Sequence, residues 1–185
     1  KCVKATDNAV ALATFIMPSG KWYAENLAIS VRNNSGDSLF YWGISSLGGG
    51  NNAGLLQYSG GQRKYGDGGE SDNWATTLSD DDIMMWAYDA DSGKIWFGVN
   101  GSWYNSGDPA AGTNQAATVT APGVFRLSTG AANGSTTLAN FGQDSSFAGN
   151  ETAQGNQDAN EIGDFYYEPP TDYLALCTSN LPSPE

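Results

Sequence analysis

The stretch from Asp80 to Asn114 constrains this chain more than any other. Ile83 to Asp89 (IMMWAYD) is apolar and aromatic, and so is Ile95 to Val99 (IWFGV). Between them lies Ala90-Asp91-Ser92-Gly93, a cluster of turn formers, and two strand-like runs joined by a short Gly-containing connection signal a β-hairpin. The second run closes at Asn100-Gly101, a pair that tolerates the positive φ of a tight turn. With Gly93 in a left-handed bulge position, Met85 and Ala87 are expected to share a face with Ile95, Phe97 and Val99 and to look into a core. The hairpin is therefore expected at the centre of an all-β sandwich that the rest of the chain wraps.

The flanking sequence supports strands rather than helices. Val3 to Met17 carries an alternating Val10, Leu12, Thr14, Ile16 face, and Pro18-Ser19-Gly20 reads as a turn. Lys21 to Val31 sets Trp22, Ala24 and Asn26 against Tyr23, Glu25, Leu27 and Ile29, a strand period. Leu39 to Ile44 is apolar on both faces, as an interior strand of a two-sheet stack should be. Glycine pairs and triplets punctuate Ser45 to Asn73, where Leu55 to Tyr58 and Gln62 to Tyr65 form an expected hairpin about Gly60-Gly61. Val124 to Ser128 and Thr136 to Phe141 are two later strands. Gln143 to Gly163 is polar with little periodicity and reads as a long excursion, the kind of loop that is functional or mobile. Phe165 to Tyr167 is expected as a closing strand. The division expected is a sandwich over 1–168 and a C-terminal extension over 169–185 leading to a further module. The start at Lys1 and the end at Ser183-Pro184-Glu185 suggest a piece of something longer.

Composition removes several classes of function. A chain of 185 residues fits one domain and buries roughly 70% of the surface its unfolded form exposes, enough for a core without metal or disulfide. Asp and Glu number 20 against 8 Lys and Arg, a formal charge of −12, and Arg63-Lys64 is the one basic pair. Phosphate backbones and anionic membranes demand clustered cations, so nucleic acid is a poor partner. No apolar run approaches the ~20 residues of a membrane helix, and no signal peptide is visible. Histidine is absent, which removes Ser-His-Asp and Cys-His chemistry and His-ligated metals. Cys2 and Cys177 lie almost at opposite ends; they form either a disulfide between neighbouring termini or two reduced buried thiols.

Three stretches resemble one family. Ser19-Gly20-Lys21-Trp22-Tyr23-Ala24-Glu25 resembles the early "sGkwYfEv" strand of SPRY domains, and Gly43-Ile44-Ser45 resembles that family's "GI" strand. Ala87 to Gly101 (AYDADSGKIWFGVNG) is similar to the SPRY "aLDldnGkiwFsvNG" hairpin nearly throughout, with Trp86 and Tyr88 where smaller aliphatics are usual. Three further stretches recur together: Ser106 to Asn114; Asn140-Phe141-Gly142-Gln143; and Pro169 to Cys177 with Asn180-Leu181-Pro182. They are similar to SPRY-like domains in long structural proteins of tailed bacteriophages, with Asp172 standing where that subgroup more often has Gly. The resemblance spans about Ser19 to Pro182. It implies a two-sheet antiparallel β-sandwich (concanavalin A-like jelly roll) with long Gly-rich loops, no catalysis and no cofactor. It implies a surface, decoration or tail-fibre domain exposed on the virion, binding other virion proteins or a host-surface receptor, in a homo-oligomeric full-length protein.

Candidate sites divide between chemistry and packing. Asp89-Ala90-Asp91-Ser92-Gly93 resembles the start of a calcium loop, but the twelfth position, where a bidentate Glu belongs, is Asn100, so a plain turn is expected and no metal. Asp80-Asp81-Asp82 reads as a solvated strand entry. A sandwich polysaccharide depolymerase would need paired carboxylates about 5 Å apart on one strand, and Glu161 and Asp164 are the nearest pair, at the wrong spacing. Trp22, Trp42, Trp86 and Trp96 sit inside strands and are expected in the core. The loop aromatics Tyr58, Tyr65, Trp74, Trp103 and Tyr104 are the candidates for a lectin-like contact with host glycan. The loops Ser45 to Asn73 and Gln143 to Gly163 are expected to present the binding surface.

Overall fold

The computed structural model describes residues 3–6, 9–32, 40–46, 53–58, 61–65, 71–120, 125–131 and 134–181, with backbone alone at 3–6, 9–12, 56–58, 63, 65 and 71–73. The strands are β1 Val3–Thr6, β2 Ala9–Leu12, β3 Lys21–Ser30, β4 Phe40–Ser46, β5 Ala53–Tyr58, β6 Gly61–Tyr65 and β7 Ser71–Ala75. They continue with β8 Ile83–Asp89, β9 Lys94–Val99, β10 Ser102–Trp103, β11 Ala117–Thr118, β12 Phe125–Ala131, β13 Thr136–Asn140 and β14 Leu174–Ala175. One sheet runs β1-β13-β3-β8-β9-β10, with β11 also on β9 and β14 on β3; the other runs β2-β12-β4-β5-β6-β7. Every pairing is antiparallel except that of β14 with β3. The expected all-β, two-sheet antiparallel sandwich is what the chain forms, and the hairpin β8–β9 lies inside the first sheet, between β3 and the short strands β10 and β11.

Large side chains from both sheets fill the space between them. Trp22, Trp86, Tyr88, Ile95 and Phe97 face Phe40, Trp42, Ile44, Phe125 and Leu127 in one apolar cluster. Trp42 meets Phe97 edge to face at 6.5 Å, and Tyr88 meets Phe125 at 5.9 Å. Fully burying each such side chain contributes about 1.5–3 kcal/mol. Gly43 sets the spacing of β4 and β5: a Cβ there would stand 2.2 Å from the Ala53 carbonyl oxygen.

The hairpin register differs from the expected one by a residue. Gly93 does take a positive φ of 73°, but all of Ala90 to Gly93 belong to the turn, and pairing closes at Asp89 with Lys94. Trp86 therefore pairs with Phe97 and Tyr88 with Ile95, while Met85 and Ala87 share the opposite face with Gly98 and Trp96. The turn is lengthened because Ala90 donates its N–H to the Gly20 carbonyl, fastening the hairpin to the entry of β3. A slip of one residue exchanges the faces of a strand, and here both faces are covered, so either face accepts apolar residues.

What covers the outer face is the C-terminal third of the chain. Phe165, Tyr173 and Ala175 pack on Tyr23, Met85, Ala87 and Trp96, and Phe147 packs on Leu27, Ile83 and Leu138. The boundary expected after residue 168 falls inside this packed body. Leu174 and Ala175 pair with Trp22 and Tyr23, and Leu176 reaches the inter-sheet core. The segment through Leu181 is thus part of the sandwich, because the outer face of β3 and β8 is too apolar to be left in water. Phe165 to Tyr167, expected as a closing strand, forms one isolated bridge from Phe165 to Asn156 and otherwise crosses as a strap. The hairpin expected about Gly60-Gly61 is present as β5–β6; β7 was not foreseen.

Candidate functional site

The loop aromatics do not form one group. Trp74, on β7, and Tyr104, in the 3-10 turn Tyr104–Ser106 after β10, meet edge to face at 5.5 Å. Lys64 on β6 places its Nζ 5.2 Å from the centre of the Trp74 ring and donates to the Ala116 carbonyl at 2.7 Å. Buried Gln62 donates its Nε2 to the Tyr104 hydroxyl at 3.1 Å. Trp103, although next to Tyr104 in sequence, lies on the outer face of the first sheet against Tyr23, 6.4 Å away. The side chains of Tyr58 and Tyr65 lie outside the described residues.

The most unusual group is one the sequence reading passed over. Glu25 sits on the outer face of β3, fully buried. Its carboxylate accepts from the Tyr23 hydroxyl at 2.9 Å, the backbone N–H of Tyr166 and Tyr167 at 2.9 and 2.8 Å, and Asn140 Nδ2 at 3.3 Å. Burial pushes its pKa up to about 7, against the opposing pull of those four donors. Its position in Gly20-Lys21-Trp22-Tyr23-Ala24-Glu25 was the one sequence signal available: a carboxylate set between Tyr23 and Leu27 on one face of a strand.

The other acidic residues that invite a chemical reading also serve the fold. Asp89 Oδ1 accepts the N–H groups of Asp91 and Ser92, and Asp91 Oδ1 accepts that of Gly20. Asp80 Oδ1 takes the Val31 N–H, and Asp82 takes the Ser79 N–H and Asn100 Nδ2. Asp80 and Asp81 are exposed at the entry to β8, the solvated strand entry expected, and Asp80 and Asp82 also serve as loop acceptors. Among the described residues no group of three or more His, Cys, Asp or Glu is placed to hold a metal.

Gln143 to Gly163, expected as a loose presenting loop, is tied down along its length. Ser145 is fully buried and donates to Asp164 Oδ1, and its hydroxyl accepts the Gln154 N–H at 3.0 Å. Asp158 accepts from the N–H of Ile162 at 3.0 Å and of Ala175 at 2.8 Å, and from Asn180 Nδ2 at 2.7 Å. Asn140 Oδ1 accepts the N–H groups of Gly142, Gln143 and Asp144. The lack of apolar periodicity reflects polar self-satisfaction, with Phe147 as the fully buried anchor and Ile162 packed on the outer cluster. In Ser45 to Asn73, the glycine turns at 47–52, 59–60 and 66–70 lie outside the described residues.

A shallow apolar recess of about 330 Å³ opens between Phe15, Phe141, Leu176 and Cys177. Cys177 carries a free thiol and is half-buried. Cys2, the other half of the pair considered above, lies outside the described residues.

No family model matches the chain, and no curated protein matches it. Among solved structures, the SPRY domain of human HERC1 is similar, with a TM-score of 0.48 and 15% identity over 75% of this chain and 91% of that one.

Proposed function

We propose that the chain is a non-catalytic binding and structural module of a tailed-phage virion protein, a surface, decoration or tail-fibre domain that presents a rigid sandwich to a neighbouring subunit or host surface. One observation carries the non-catalytic part. The carboxylates of Glu25, Asp82, Asp89, Asp91, Asp144 and Asp158 each accept hydrogen bonds from the chain's own backbone or amide groups. A catalytic acid or base has to face the reacting proton at hydrogen-bond distance, whereas these face the loops they hold. The virion part is supported by the motif resemblance, whose residues cooperate in space. The Gly20 turn is bonded to Asp91 of the hairpin, Lys94 and Trp96 are bonded to Gly112 and Thr113, and Tyr173 stacks edge-on against Trp96 at 6.4 Å.

The test is immunogold labelling of intact particles with an antibody raised against the folded domain. Label on capsid or tail is the expected result. Label confined to soluble material from lysed cells, with purified particles bare, would overturn the virion assignment.

A further inference from the structure

The strap that Glu25 holds leaves a row of rings at the surface. Tyr166 and Tyr167, both half-buried, meet edge to face at 5.0 Å, and Tyr166 tilts against Phe147 at 6.5 Å. Tyr167 lies on Gly101, where an added Cβ would stand 3.1 Å from the ring. Trp103 packs into the same outer cluster as Tyr167. Because Glu25 fixes the backbone N–H groups of both tyrosines, the rings are pre-positioned rather than free to collapse.

The described charges that act on Tyr167 are carboxylates. Burial, the Tyr166 hydroxyl and the carboxylates of Glu25, Glu151 and Asp82 all hold the Tyr167 hydroxyl above its ordinary pKa. Asp82 is anchored beside the row by Asn100 Nδ2 at 2.7 Å, and exposed Glu168 follows Tyr167 in the chain. Of the lysines whose side chains are described, Lys21 pairs with Asp172 at 3.6 Å, Lys64 with the Ala116 carbonyl at 2.7 Å, and Lys94 with the Gly112 carbonyl at 2.8 Å.

We propose that the Trp103–Tyr167–Tyr166 row, rimmed by Glu151, Asp82 and Glu168, is a docking surface for arginine side chains of a basic protein partner. The inference rests on the binding-module reading and names the partner's chemistry. A guanidinium is planar and weakly hydrated, so it stacks on a tyrosine face while its fork engages a carboxylate; an ammonium does only the second well. The net charge of −12 would steer a basic surface towards the domain and repel an anionic one.

The test titrates the intact chain with a short capped oligoarginine peptide and with the equally long oligolysine, following backbone amide shifts at low and high salt. Shifts should centre on 101–103, 147–151 and 166–168, and arginine should bind more tightly than lysine. Glu151→Gln with Glu168→Gln should weaken binding about fivefold, and Tyr166→Leu about threefold or more, with shift dispersion confirming that each variant is folded. Asp91→Asn, at the far tip of the same hairpin, should change nothing. Equal weakening by Asp91→Asn, shifts centred elsewhere, no preference for arginine, or no binding at all would each overturn the site. None of these outcomes bears on particle labelling, so the site can fail while the module reading stands.

Discussion

The backbone N–H of Tyr167 meets the Glu25 carboxylate at 2.8 Å, joining β3 to a strap 142 residues later in the chain. A buried carboxyl group thus helps to organise the outer layer, and its protonation has a consequence for stability. Burial raises its pKa from 4.5 to about 7, so between those values the folded chain holds a proton that the unfolded chain has lost. Stability is therefore greatest at the acidic side of that window, falls as pH rises through it, and levels off above about 7. The whole span amounts to about 3 kcal/mol. With no histidine in the chain, ordinary side chains contribute little between pH 5 and 8. Urea unfolding across that range at fixed ionic strength should show the decline in wild type and a flat profile in Glu25→Gln. An equal slope in both proteins would assign the effect to some other group.

The outer layer also decides what happens on truncation. Tyr173 is fully buried, and Ala175 and Leu176 nearly so. A chain ending at Glu168 would expose the outer face of β3 and β8 and should be recovered unfolded or aggregated. Asp158→Ala is a milder probe, removing the acceptor for Ala175 N–H and Asn180 Nδ2. It should cost about 2–4 kcal/mol by leaving buried donors unpaired, with faster amide exchange concentrated in 174–181. A truncated chain with wild-type melting behaviour would show that this segment is an appendage.

These two cases mark what the sequence could and could not reveal. The hairpin was legible because Ile83 to Asp89 and Ile95 to Val99 are dense in β-formers and flank a turn whose Gly93 needs positive φ. Its register was not, because Met85 and Ala87 are as apolar as Met84 and Trp86, and alternation cannot identify a face when both are covered. The strap escaped for the opposite reason. Apart from Phe147 and Ile162, Gln143 to Gly163 is held by polar groups such as Ser145 and Asp158, whose partners lie as far as 22 residues away. Nothing in local composition distinguishes such a segment from a loose loop. Glu25 needed the most distant information of all, since its donors come from Asn140, Tyr166 and Tyr167. The candidate aromatics suffered likewise: adjacency of Trp103 and Tyr104 suggested a common surface, but β10 sends them to different environments.

Close strand approach gives a prediction with an internal control. Gly43→Ala would drive a Cβ to 2.2 Å from the Ala53 carbonyl oxygen, a backbone atom that cannot move without parting β4 from β5. Gly112→Ala meets nothing within 4 Å, but its φ is +68°. The second substitution should cost about 1–2 kcal/mol, the left-handed penalty alone. Gly43→Ala should cost more than that, as interior overpacking does. Thermal unfolding of the two variants should rank them in that order, and the reverse order would contradict the β4–β5 spacing.

The Trp74–Tyr104–Lys64 contact can be measured directly. Lys64 Nζ stands over one face of the Trp74 ring, and Tyr104 packs against Trp74 edge to face, so a sugar could not stack on the face that Lys64 covers. If the arrangement is chiefly structural, Lys64 and Trp74 should be coupled. A double-mutant cycle with Lys64→Met and Trp74→Leu should give about 0.5–1 kcal/mol, diminished little by salt because the ammonium is also held by the Ala116 carbonyl. Trp74→Leu should also lower overall stability by about 1–2 kcal/mol through loss of the aromatic pair and its buried area. A coupling near zero, together with a glycan-array signal that disappears in Trp74→Leu, would shift the ring from packing to recognition.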